Sequence, residues 1–170
     1  MKDLEGEVAM GTNEAQLNEL AYNVSILVSH ACFLMFFEEY AEDGFPVFLK
    51  SNFRDVQHRC AKIHKLLEEL AITNAEFHRK IISSDGGKFR DYYVLPLSWL
   101  ITIADEPSNH ETLNFMRERM RERMFIAFLV RIASVLPSTT FDMFDDETQN
   151  GIQGDLDKLK RILTTKESES

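Results

Sequence analysis

Apolar residues recur along most of this chain at helical spacing. At Leu17, Leu20, Ala21, Val24, Leu27, Val28, Ala31 and Met35 they follow the three- and four-residue steps of one helix face, which predicts a helix over 14–41. Asn13 and Gln16 stand at its head in the relation of a capping box. At about 100° per residue, Ile26, His30, Phe33 and Phe37 fall on the opposite side. The second half of this helix is therefore apolar on two faces and requires neighbours on both.

The next segment carries the most regular pattern. Leu49, Phe53, Val56, Cys60, Ile63, Leu67, Leu70, Asn74, Phe77 and Ile81 alternate steps of four and three. A stripe sustained that far predicts a helix over 46–82, roughly 50–55 Å long, packed lengthwise against antiparallel partners. Asn74 interrupts the apolar series and marks a bend or a polar contact. Glu42-Asp43-Gly44 separates the two helices, Pro46 suits the first turn of the second, and Ser83 to Gly87 ends it.

From Phe89 to Ala104 the chain is apolar nearly all round, the mark of a central buried helix, here in two pieces about Pro96. Ser108 and Glu111 form a capping box for a further helix over 109–136, polar at first and then almost wholly apolar until Pro137. Beyond it come a short helical turn near 141–149, a break at Asn150-Gly151, and a small amphipathic helix through Ile152, Leu156, Leu159, Ile162 and Leu163. The fold class expected is all-α: an up-and-down four-helix bundle with a short C-terminal fifth helix. One domain over 13–165 is expected between a flexible acidic leader, 1–12, and a flexible tail, 166–170.

Composition agrees with a single packed domain. The 170 residues are 44% hydrophobic with only seven glycines and four prolines, which excludes disorder as the main state. The net charge of −9 makes nucleic acid an unlikely partner. That charge is uneven: residues 1–53 carry −7, 54–91 carry +2, 92–137 are neutral and 138–170 carry −4. The middle of the chain is thus mildly basic, while its ends hold the acid. Two cysteines, Cys32 and Cys60, are too few for a disulfide framework, and Met1 to Gly11 has no signal pattern, so a cytoplasmic location is expected. The apolar run 124–136 is too short, and too interrupted by Arg131, to span a membrane.

No glycine-rich phosphate loop, serine elbow, zinc-spaced cysteine pair or EF-hand loop is present in the sequence. The five arginines within Arg117–Arg131 read as a solvated face balanced by Glu111, Glu118 and Glu122, with an acidic or phosphorylated partner as the alternative. Cys32 and Cys60 read as small core residues. His30, His64 and His78 lie close to apolar faces and read as structural, with His64 and Glu68 suited to an i,i+4 pair. Asp55 followed three residues later by His58 on a bundle helix has the spacing of half a di-iron carboxylate site.

This last segment bears a family resemblance. Gly44-Phe45-Pro46-Val47-Phe48-Leu49-Lys50, running through Asp55 and His58 to Lys62-Ile63-His64-Lys65-Leu66, resembles the start of the second bundle helix of ferritins. Asn18-Glu19-Leu20 looks like the ferritin segment that bears an iron-binding glutamate, and Leu113-Asn114-Phe115-Met116 looks like the entry to the fourth ferritin helix. The resemblance implies iron as the metal and Glu19, Asp55 and His58 as its ligands. The chain departs from the pattern in having Asp at 55, a one-residue slip after His58, no long crossover, and no Glu-rich third helix. By helical geometry alone, Asp55 and His58 point away from the apolar stripe, and Glu19 lies about 130° from its own.

Two functions are therefore expected in different classes. One is a non-catalytic ferritin-like shell or iron-storage-type subunit without a complete oxidation site. The other is a helical protein–protein interaction module that offers an apolar groove to a partner helix. Either would act through a protein partner or self-association. An enzyme with a site in the bundle core is a third and less favoured reading.

Overall fold

The computed structural model describes residues 2–36, 45–82 and 110–169. Among these the chain is all-α, with six helices and no strand: α1 Lys2–Phe36, α2 Phe45–Thr73, α3 Ala75–Ile82, α4 His110–Arg121, α5 Arg123–Val135 and α6 Asp146–Glu169. A 3-10 turn, Ser138–Phe141, joins α5 to α6. The expected helix over 89–104, the Ser108 cap and the end of the first helix beyond Phe36 lie outside the described residues.

The stripe of the second helix performs as its spacing implies. Phe53, Val56, Cys60, Ile63, Leu67, Leu70, Phe77 and Ile81 are all buried, each apolar side chain of this size stabilising the fold by about 1.5–3 kcal/mol relative to exposure. At Asn74 the helix breaks into α2 and α3. The Asn74 Oδ1 accepts the Phe77 N–H at 3.2 Å, and the Thr73 carbonyl receives Asn13 Nδ2 at 2.9 Å. Asn74 is thus an N-cap inside a long helical run, and the polar position in the stripe is the hinge.

The helix expected over 109–136 divides at Glu122, which has φ −66° and ψ 139°. Phase explains the break. Leu113, Met116 and Met120 form the buried stripe of α4, while Phe125, Leu129 and Ile132 are buried on α5. In one straight helix these two sets would lie roughly 150° apart, and Arg123 and Arg131 would turn inward. The extended Glu122 resets the phase, and its carboxylate meets Arg119 Nη1 at 2.6 Å. Helix α5 then ends at Val135, just before Pro137.

The break expected at Asn150-Gly151 does not occur. Helix α6 runs through both Gly151 and Gly154, and at 24 residues it is long where a short C-terminal helix is expected. Its start lies at Asp145, whose Oδ1 accepts the Thr148 N–H at 2.7 Å, with Asp146 and Glu147 in the first turn. A capped acidic start and the burial of Leu156 and Leu159 offset the two interior glycines.

Helix α1 is the organising element of the described residues. It packs on α2, α4, α5, α6 and the 3-10 turn, and Leu20, Ala21, Val24, Leu27, Val28 and Ala31 are buried. It begins at Lys2, so the stretch expected as a leader is helical and continuous with it. Asn13 and Gln16 therefore do not cap a helix end; both reach across to α2. By length and composition the stretch Asn13–Phe36, with a mean hydropathy of 1.4, is long and apolar enough to cross a membrane, which the run 124–136 is not; 56% of its window is buried within the fold.

Candidate functional site

Helices α1 and α2 run antiparallel, and polar side chains bridge them along one edge. Gln16 Nε2 donates to Glu69 Oε2 at 3.0 Å, and Lys62 Nζ lies 3.0 Å from Glu19 Oε1. Further along, Arg59 Nη1 donates to Asn23 Oδ1 at 3.1 Å, and His30 Nε2 stands 3.5 Å from Asp55 Oδ2. With the Asn13–Thr73 bond at the far end, five rungs descend α2 as they climb α1. The α2 residues that make them lie roughly 60–140° round from Val56, which is why they miss the core and reach the neighbouring helix instead.

Arg59 is the hub of this edge. Its Nε lies 3.2 Å from Asp55 Oδ1, and its guanidinium carbon sits 5.2 Å from the centroid of the Tyr22 ring, a cation–π distance. Tyr22 in turn stacks on Phe144, with centroids 6.2 Å apart and planes within 10°. Beneath them Asn23 is buried, yet both ends of its amide are used: Oδ1 accepts from Arg59 and Nδ2 donates to the Glu19 carbonyl at 2.8 Å. Tyr22 itself is 42% exposed, and Met143, next to Phe144 in sequence, is 48% exposed. The result is an aromatic and guanidinium surface with Arg59 anchored on the buried Asn23, the residue chemistry enriched where proteins bind each other.

Burial sets the protonation of the groups around this face. Burial lowers the pKa of His30 below its ordinary value, outweighing the Asp55 carboxylate that would raise it, so the ring is neutral at pH 7. Burial pushes the Cys32 thiol up to about 12 and that of Cys60 higher still. Both are core thiols rather than nucleophiles, and Cys32 Sγ donates to the Asp155 carbonyl at 3.2 Å.

The structure does not bring Glu19, Asp55 and His58 together. Glu19 pairs with Lys62, Asp55 lies between His30 and Arg59, and His58 is exposed on the outer side of α2. Among the described residues no group of three or more His, Cys, Asp and Glu side chains could hold a metal ion. The pairing of His64 with Glu68, 3.6 Å apart, is as expected. A cleft of about 180 Å³ lies between Ala133, Phe141, Ile152 and Leu156, smaller than the usual ligand pocket of about 300–1,000 Å³. Tyr22, Arg59 and Phe144 were not singled out from the sequence. The available signal was the second apolar side of the first helix, since Tyr22 lies within about 40° of Ile26 and Phe33 at about 100° per residue.

Comparison of the chain with protein-family models, with curated proteins and with solved structures finds no match.

Proposed function

We propose that this chain is a non-catalytic, protein-binding module of the cytoplasm, built as an up-and-down helical bundle. The observation that carries the reading is the exposed Tyr22 face, in which Tyr22 stacks on Phe144 and lies against an Arg59 guanidinium that is hydrogen-bonded to the buried Asn23. The antiparallel α1–α2 pair supports the bundle topology, as does α6 running beside α1 in the same direction, with Phe144 at Tyr22 and Asp155 at Cys32. The carboxylates that resemble metal ligands each have a structural use here, Glu19 with Lys62 and Asp55 with Arg59.

A photo-crosslinking amino acid at position 22 tests this reading in cells. The expected result is a defined protein adduct, competed by excess unlabelled chain, that is absent when the same group replaces Glu76 on the exposed side of α3. Equal adducts at both positions would overturn it.

The second reading is a ferritin-like storage subunit, favoured by the Gly44–Leu66 resemblance and by Asp55 and His58 both lying on the helix α2. Size-exclusion chromatography after iron loading separates the two. A large hollow oligomer that takes up iron, and loses it on Asp55→Ala with His58→Ala, would establish storage in place of protein binding.

A further inference from the structure

The outward side of α1 is itself patterned. Ala15, Tyr22, Ser29 and Phe36 stand seven residues apart and are all exposed, with Asn18, Ile26 and Phe33 half-buried between them and Phe33 packed against the core. Taking Tyr22 as zero at about 100° per residue, this set lies within roughly 40° of the outward direction, the α2-bonded residues Glu19, Asn23 and His30 near +80°, Cys32 against α6 near −80°, and the core face opposite. The surface is therefore a three-helix face with α1 in the middle. A seven-residue spacing keeps one side of a helix turned to a neighbouring helix along its length, and the large apolar residues on this side are Tyr22 and Phe36.

The two flanks carry opposite charge. On the α2 side Arg54 and Lys65 are exposed, while the carboxylates of that edge, Glu19, Asp55 and Glu69, are engaged by Lys62, Arg59 and Gln16. On the other side residues 142–157 contain six acids and no Lys or Arg, and Asp142, Asp145, Asp146 and Glu147 are exposed beside the Phe144 that stacks on Tyr22. A two-fold axis lying in the plane of this face and parallel to α1 sets each copy's basic flank over the other's acidic flank, with the two α1 seams in contact between them. The face is complementary to itself, which is the requirement of an isologous dimer.

We propose that two copies of this chain pair through this face, α1 against α1 in parallel. The proposal rests on the protein-binding reading and names its partner as a second copy.

Sedimentation of the purified full chain tests it. The expected result is a reversible dimer of twice the 19.7 kDa chain mass that weakens as salt rises. Tyr22→Glu weakens self-association by roughly tenfold or more with the helical circular dichroism unchanged. Because that variant alone could act through folding, a charge exchange accompanies it. Arg54→Glu with Lys65→Glu, and separately Asp142→Lys with Asp146→Lys, each lose the dimer, and mixing the two restores a heterodimer. A chain that is monomeric at every concentration, or a dimer indifferent to all these changes, overturns the proposal. A monomer whose position 22 still cross-links to a different protein removes self-pairing and leaves protein binding standing; a monomer with no adduct there removes both.

Discussion

Replacing Gly151 and Gly154 by alanine should stabilise this protein, contrary to what a helix break at Asn150-Gly151 would imply. Both glycines lie inside α6, neither has a left-handed φ, and a Cβ built on either meets nothing within 4 Å. The substitution therefore introduces no clash and removes only the backbone freedom that glycine must lose on entering a helix, worth about 0.5–1 kcal/mol at each position. The two sites are three residues apart on one helix, so the double change should give at most about 1–2 kcal/mol, with each single variant measured beside it. For a domain of this size that corresponds to a rise in Tm of roughly 2–8 °C. Thermal unfolding followed by circular dichroism, with urea unfolding as a check that the m-value is unchanged, measures it. If the chain instead turned at Gly151 with that residue as a left-handed cap, alanine would destabilise by a similar amount. A fall in Tm for Gly151→Ala would therefore refute the continuous α6.

Two other changes probe the α1–α2 unit. Asn74→Ala removes the acceptor of the Phe77 N–H and should cost about 0.5–2 kcal/mol, measured by urea unfolding; no loss would show that Asn74 does not cap α3. The depressed pKa of His30 makes stability depend on pH in a defined direction. The unfolded chain binds a proton at about 6.5 and the folded ring only below that, so the contribution is complete above pH 6.5 and is lost as the pH falls through that value toward the folded pKa. His30→Gln should flatten this loss between pH 7.5 and 5.5, and an unaltered profile would place the titration elsewhere.

How far the fold was legible differs from helix to helix for physical reasons. The α2 stripe was readable because one face alone meets the core, so spacing and burial coincide from Phe53 to Ile81, and even its polar exception, Asn74, marked the hinge. The break at Glu122 had no glycine or proline to announce it, but the phase slip between Met116–Met120 and Phe125–Leu129 is present in the sequence. Gly151 misled because local propensity favours a break there, while the cap at Asp145 and the packing of Leu156 and Leu159 are decided elsewhere. For the site, helical angles already aimed Asp55 and His58 away from the core. What they could not supply was the partner. That Asp55 meets His30 and Arg59, and that Phe144 reaches Tyr22 across more than a hundred residues, are tertiary facts with no periodic signature.

The outward side of α1 carries the proposed pairing, and a single cysteine reports on it. Ser29 is exposed on the same seven-residue series as Tyr22, so the parallel two-fold pairing sets the two copies' residues at this position against each other, within the Cα separation of about 4.4–6.8 Å that a disulfide spans. The native Cys32 and Cys60 are buried and free, and do not compete. Under mild oxidation Ser29→Cys should give a covalent dimer on a non-reducing gel, while Ser51→Cys, exposed on α2, should remain a single chain. A Ser29→Cys protein that stays monomeric, or equal cross-linking at both positions, would contradict the account.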